Sequence, residues 1–319
     1  MKIELETAVD QLKSLDDVLI LLHHFPDGDT IGCGFALCRA LQSIGKRAMV
    51  ECCDEISSKY GYITSIIENQ QFEPKHIVSV DVADAKLLGS LCDVYGERVE
   101  LCIDHHASNL DYAKETYVDA NSAAACEIIY EIILRLGVEI DEKIAAAIYT
   151  GIATDTGCFK FTNTTAKTHI IAAELIKKGI NYGEINRIMF DTKSKSRVMV
   201  EQMALNSMEF AHFDRIATVV ISQDMLKKSN AEDFELEGIT SLPRQIEGVI
   251  VGITLRERKD GKYKISVRSH EPVSASKLCS YFGGGGHERA AGCEIDDTLE
   301  NAKKMLVERA TSMLIDNNL

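Results

Sequence analysis

Residues 101–106 read Leu101-Cys102-Ile103-Asp104-His105-His106, an apolar run of strand length closed by a carboxylate and two imidazoles. Three other segments end the same way. His23, Asp27 and Asp29 follow the run 18–22, Asp81 follows 77–80, and Asp155 closes the segment 145–154. The run 48–52 is a further short apolar stretch, and residues 30–44 and 122–136 have the length and apolar spacing of helices. This alternation over residues 1–160 predicts an α/β fold: a parallel sheet with helices on both faces. In such a sheet functional groups collect beyond the carboxyl ends of the strands. The fold class itself therefore predicts that Asp27, Asp29, Asp81 and His105 converge.

The second half reads differently. Residues 164–178 and 192–208 have helical spacing, and the latter is polar enough to be partly exposed. Strands are predicted over 216–221, 248–255 and 262–268, in a smaller α/β domain. The expected division is a catalytic domain over 1–186, a linker helix over 187–208 and a substrate domain over 209–319. Gly283–Gly286 reads as a glycine-rich turn, followed by His287 and by the small residues Ala290, Ala291 and Gly292.

Composition sets bounds. The chain has 319 residues, 45% of them hydrophobic and 26% charged, which suits two globular domains, each with its own core. No apolar run approaches the ~18 residues of a membrane span. The start, Met-Lys-Ile-Glu-Leu-Glu, lacks the basic-then-apolar pattern of a signal peptide, so a cytoplasmic location is expected. The ten cysteines include no C-x-x-C pair, and six of them (Cys33, Cys38, Cys102, Cys126, Cys158, Cys279) lie in apolar segments. That pattern predicts reduced thiols and no zinc ribbon. A net charge of −14 argues against a broad grip on long nucleic acid, though not against a small phosphorylated substrate.

The chemistry is carried by His23-x-x-x-Asp27-x-Asp29 together with Asp81, Asp104-His105-His106 and Asp155. Pro26 and Gly28 force a turn that can aim His23, Asp27 and Asp29 at one point. Gly28 is expected to leave backbone room beside an ion, and Thr30 to cap the next helix. A carboxylate at Asp155 opposes the dipole of the helix it ends, an unfavourable placement that favours a functional role. Oxygen and imidazole ligands without thiolate suit Mn²⁺ or Mg²⁺, with Mn²⁺ favoured by the histidines. A carboxylate shared by two such ions would let a bridging water ionise near neutral pH and attack phosphorus.

These residues resemble the DHH phosphoesterase superfamily, and Gly284-Gly285-Gly286-His287-x-x-Ala290-Ala291-Gly292 resembles the glycine-rich motif of its DHHA1 substrate domain. Length places the likeness nearest the nanoRNase (oligoribonuclease) and pAp phosphatase subgroup. The resemblance implies a site at the cleft between the two domains. It assigns His23, Asp27 and Asp81 to one Mn²⁺, and Asp29, Asp81, His105 and Asp155 to a second, with Mg²⁺ or Co²⁺ as substitutes. His106 would contact the scissile phosphate, Asp104 would orient a histidine, and His24 would be structural. In Ser266-Val267-Arg268-Ser269, the family's phosphate-gripping arginine falls on Arg268. Ser269, Gly284, Gly285, Gly286 and His287 would complete the substrate contacts, whereas Arg256 and Arg258 read as exposed strand cations. Lys86 and the proline-free Asp119-Ala120-Asn121-Ser122 depart from the subgroup's pattern. The implied activity is hydrolysis of RNA fragments of two to a few nucleotides to 5′-mononucleotides, and of pAp to AMP. Rival readings are a cyclic dinucleotide or pApA phosphodiesterase, an inorganic pyrophosphatase, which the His287 motif opposes, and a non-catalytic nucleotide sensor. A homodimer is the assembly considered.

Overall fold

The computed structural model describes residues 1–236 and 238–317, in two compact units, Met1–Thr192 and Lys193–Leu319.

The first unit is built on five parallel strands, β1 (Val18–Leu21), β2 (Ala48–Glu51), β3 (His76–Val80), β4 (Leu101–Asp104) and β5 (Glu115–Val118), in the order β2-β1-β3-β4-β5. Alternation along each strand divides the core. Val18 and Ile20, Val78 and Val80, and Leu101 and Ile103 face one layer, while Leu19, Leu21, Ile77 and Cys102 face the other. The first layer is covered by α1 (Leu5–Ser14), α2 (Gly28–Ser43), α3 (Ala125–Arg135), α4 (Glu142–Asp155) and α5 (Ala166–Ile176). The other layer is closed by short helical turns within 85–98, which supply Leu88. β5 is the strand missing from the sequence expectation. It is four residues long, begins with Glu115 and follows Lys114, so its apolar content is too small to announce it.

Small residues hold α2 against α4. A Cβ at Gly28 would lie 2.3 Å from Thr154 Oγ1, and one at Gly32 would lie 2.5 Å from the Ala147 carbonyl oxygen. The space expected beside an ion at Gly28 is thus filled by a neighbouring helix. Likewise the cap of α2 is Asp27, whose carboxylate accepts from the amides of Asp29 and Thr30, while Thr30 Oγ1 donates to the Val80 carbonyl at 3.1 Å. Capping fixes Asp27, and the Thr30 bond ties the start of α2 to the end of β3.

The second unit carries a six-stranded sheet of β6 (Glu209–Ala211), β7 (Ile216–Ile221), β8 (Val251–Glu257), β9 (Tyr263–Ser269), β10 (Gly285–His287) and β11 (Ala290–Ile295), ordered β10-β11-β9-β8-β7-β6. The β7–β8 pair is parallel and the others are antiparallel. One face packs Val251, Ile253, Leu255, Ile265 and Val267 against α7 (Ala275–Ser280) and α8 (Leu299–Asp316). On the other face α6 (Lys195–Asn206) places Val200 and Ala204 against Val219 and Ile221. All ten cysteines are free thiols. Among the described residues no helix is long and apolar enough to cross a membrane.

Candidate metal centre

The strand ends and helix ends of the first unit meet as the sheet topology requires. β1, β3 and β4 are adjacent, so His23, Asp81 and Asp104-His105-His106 leave the sheet side by side. α2 begins with Asp29 in its first turn, and α4 finishes with Asp155. The ligand-type atoms of His23, Asp27 and Asp81 lie within 4.8 Å of one another, as do those of Asp29, His105 and Asp155, and those of Asp81, His105 and His106.

Asp81 stands between the two sides. Its Oδ2 is 3.7 Å from His23 Nε2, while its Oδ1 is 3.6 Å from both His105 Nε2 and His106 Nδ1. Its backbone has φ of 58°, an uncommon value for a residue with a side chain, held by a 2.9 Å bond from its amide to the Ile103 carbonyl. Strain of this kind, of order 1–3 kcal/mol, persists where the surroundings over-determine it. Asp81 Oδ1 is buried and has no hydrogen-bond partner among the described residues.

The histidines are oriented by their outer ring nitrogens. His23 Nδ1 sits 2.8 Å from the His24 carbonyl and His105 Nδ1 sits 3.1 Å from the Ser122 carbonyl. A carbonyl only accepts, so each Nδ1 carries a proton and each Nε2 points to the carboxylates. His105 Nε2 lies 3.4 Å from Asp155 Oδ2 and 3.9 Å from Asp29 Oδ2. His106 is turned the other way. Its Nδ1 donates to Asp104 Oδ1 at 2.8 Å, and Asp104 also accepts from the His105 amide and, at 2.6 Å, from Asn109 Nδ2.

Asp29 is completely buried. Its carboxylate accepts from the amides of Ala125, at 2.6 Å, and Cys126, at 2.9 Å. These are first-turn amides of α3, whose own N-cap, Ala124, offers no side-chain acceptor. Asp29 therefore caps a helix 96 residues away and takes the stabilisation that a helix N-terminus gives an anion.

Electrostatics show a crowded anionic centre. Burial first, then the charge of Asp27, pushes Asp29 up to about 6. Burial and then Asp29 push Asp155 up to about 7 and Asp81 well above the carboxylate range. Burial opposes charge on His23, yet bonds to Asp27 and Asp81 outweigh it and raise the imidazole to about 11. The Asp104 bond, against the cost of burial, raises His106 to about 9. Oxygen and imidazole ligands, a carboxylate oxygen lacking a donor and two Nε2 atoms aimed inward fit divalent cations, which would displace any proton held there.

A model described as the DHH family, N-terminal domain, matches residues 17–152, and one described as the DHHA1 domain matches residues 215–315. The bifunctional oligoribonuclease and PAP phosphatase NrnA of Thermus thermophilus is 30% identical over 324 residues, covering 97% of this chain and 95% of that protein. The chain belongs to the DHH family. It is a DHH phosphoesterase with a DHHA1 domain, a phosphoric ester hydrolase of a metal-dependent class. The Bacillus subtilis protein of the same name is 28% identical, covering 91% of this chain and 93% of that one. The crystal structure of an exopolyphosphatase-related protein from Bacteroides fragilis is similar with a TM-score of 0.85 and 26% identity, over 97% of this chain and 95% of that one.

In the DHHA1 unit, register sorts the expected substrate residues. Arg268 pairs with Ala290, which pairs with His287, so the three side chains share one face. Ser269 faces the opposite way. It is fully buried, with its hydroxyl donated to the Val273 carbonyl at 2.7 Å. The glycines form much less of a turn than their composition suggests. Gly285 and Gly286 are in β10, paired with Gly292 and Ala291, and the Gly284 amide donates to the Cys279 carbonyl. A Cβ at Gly284 would lie 2.2 Å from the Gly292 carbonyl oxygen, so close backbone approach is what this glycine permits. Arg256 pairs with Asp233 and Arg258 with Glu294.

The supports Asn109, Ser122 and the Ala125 and Cys126 amides escaped the sequence reading. One signal was present: the start of α3, Ala123-Ala124-Ala125-Cys126, has no capping side chain, which asks for an acceptor from elsewhere.

Proposed function

We propose that this protein is a Mn²⁺-dependent phosphodiesterase that degrades ribonucleotide fragments of two to a few nucleotides to 5′-mononucleotides and dephosphorylates pAp to AMP. One observation carries the hydrolytic reading. The two oxygens of Asp81 face different imidazoles, with His23 on one side and His105 and His106 on the other. That is the placement of a carboxylate shared by two cations. His23, Asp27 and Asp81 would hold one, and Asp29, Asp81, His105 and Asp155 the other. The names of the Thermus and Bacillus relatives support the substrate class.

Two ions held there would supply an ionised water and neutralise charge on phosphoryl oxygens. The chain's residues do the rest. His106, raised to about 9, is protonated at neutral pH, and with Nδ1 committed to Asp104 it presents Nε2–H to a non-bridging phosphate oxygen. The hydrogen bond strengthens as charge grows on that oxygen in the transition state. Asp104 fixes the ring, and Asn109 fixes Asp104. On the DHHA1 face Arg268 and His287 are the proposed contacts to a substrate phosphate and its nucleoside.

The test is a panel of pApA, longer RNA, pAp, cyclic di-AMP and pyrophosphate with Mn²⁺. pApA and pAp should be consumed fastest. Asp81→Ala and His105→Ala should abolish turnover in folded protein, and normal turnover in either defeats the proposal.

A further inference from the structure

Arg268 has a companion that the motif does not contain. Gly252 on β8 is the direct partner of Arg268 on β9, so the Cα–H side of Gly252 and the arginine side chain share a face. A Cβ at Gly252 would lie 2.8 Å from the Arg244 amide nitrogen and 3.0 Å from Pro243 Cβ. The missing side chain thus lets the short turn Pro243–Gln245 lie flat on the sheet next to Arg268. The turn is tied down on its far side, where His270 Nε2 sits 3.4 Å from the Arg244 carbonyl.

Arg244 and Arg268 lack a carboxylate partner in an acidic chain, as do Arg215 and Arg309 of the same unit among the described residues, but only Arg244 and Arg268 are placed together. Carboxylates outnumber Lys and Arg by 49 to 35, and Arg256, Arg258 and Arg289 in the same unit each pair with one. Arg244 and Arg268 form no ion pair among the described residues. Among the described residues the side chain of Arg268 donates only to the carbonyl of Val267. Burial and then the charge of Arg244 lower the pKa of the Arg268 guanidinium, so the two cations feel each other. Beside them the face continues over the small residues Ser266, Ala290 and Gly292, paired across β9 and β11, to His287. Two half-buried guanidiniums left together without a carboxylate, beside a floor of small side chains, await an anion of more than one charge.

We propose that Arg244 joins Arg268 in a two-arginine site that selects the terminal phosphate monoester of a short oligonucleotide. This rests on the functional reading above. In pApA the single internucleotide phosphate is the scissile one, so the phosphate left for a second site is the 5′-terminal monoester. That group carries a charge of about −1.5 to −2 near pH 7, against −1 for a diester. A lone arginine would neutralise a diester, whereas the pair matches the monoester. Arg244 is thereby a specificity residue, and Gly252 is the residue that positions it.

The experiment compares pApA with ApA, which lacks the 5′-phosphate, in steady state with Mn²⁺ for the wild-type chain, Arg244→Ala and Arg244→Lys. The wild type should show a KM for pApA about tenfold or more below that for ApA, the range a lost charge-assisted hydrogen bond produces. Arg244→Ala should remove most of that gap by raising KM for pApA, with kcat little changed. Arg244→Lys should recover part of it, which a merely structural role would not predict. Equal effects on the two substrates, or none on either, would overturn the two-arginine site and leave the hydrolytic reading intact. A wild-type chain that turns over neither dinucleotide would overturn the functional reading and this site with it.

Discussion

Asp155→Asn should make the metal-stripped protein more stable while destroying its capacity to be stabilised by metal. Asp155 is pushed from 3.8 up to about 7 by burial and then by Asp29, and its side chain is 28% exposed. That rise corresponds to roughly 4 kcal/mol between the two protonation states. Partial exposure and sharing of protons among the carboxylates reduce the effect to about 2 kcal/mol. The sign follows from linkage. A raised folded value means the folded chain holds the proton more tightly, so this contribution is fully present below 3.8 and is lost as pH climbs to about 7. Asparagine carries no charge at any pH and escapes that loss. Among the described residues no hydrogen bond to the Asp155 carboxylate is broken by the change; Asn163 bonds its backbone oxygen. In EDTA at pH 8 the variant should therefore gain about 2 kcal/mol, equivalent to roughly 4–8 °C in the melting of a unit of this size. At pH 4.5 the gain should shrink to about 1 kcal/mol. Urea titration and calorimetry at the two pH values read both numbers. With Mn²⁺ in excess the order should reverse. A variant no more stable than its parent at pH 8, or a gap that does not change with pH, would refute the account of Asp155 as a carboxylate disfavoured by burial and by the charge of Asp29.

Three further outcomes follow from the same geometry. Asp104→Asn removes the partner that raises His106 to about 9, so the alkaline limb of kcat should move to lower pH, toward the ordinary histidine value near 6.5, while Mn²⁺ affinity measured by calorimetry stays near that of the parent. Mn²⁺ affinity of the wild type should rise steeply between about pH 5.5 and 7.5, with proton release, because Asp29 and Asp155, raised to about 6 and about 7, must ionise to bind; a flat profile in calorimetry would contradict those directions. Gly151→Ala would set a Cβ 2.2 Å from Cys126 Sγ and 2.8 Å from Asp29 Oδ1, so it should cost roughly 1–3 kcal/mol in urea unfolding and weaken Mn²⁺ binding, although residue 151 is no ligand.

The parallel sheet of the first unit was legible because its inner strands are almost wholly apolar and each closes on an acid or histidine. β4, ending at Asp104, shows why: a strand buried on both faces leaves a continuous run, and its polar terminus marks the functional edge. β5 was hidden by its charged flank, and β10 by glycines whose composition reads as a turn although Gly285 and Gly286 pair with β11. Within the site, each candidate metal ligand sits at an element end, where local sequence speaks. Their supports do not. The bond from the Ala125 amide to Asp29 spans 96 residues, and the Arg244 amide comes beside Gly252, the partner of Arg268, through a sheet register that no local pattern encodes. Ser269 shows the limit of motif reading. It adjoins Arg268 in sequence, but strand alternation turns it to the opposite face.

Asp29 does two jobs with one carboxylate, closing the start of α3 and facing His105. A replacement there would unfasten a buried helix as well as a ligand, whereas a change at His106 or Asp155 would spare the architecture. In a lineage that abandoned hydrolysis and kept only the scaffold, genetic drift would erode His106 and Asp155 early. Asp29 would outlast them, so its presence alone in a distant descendant would testify to folding and say nothing of turnover.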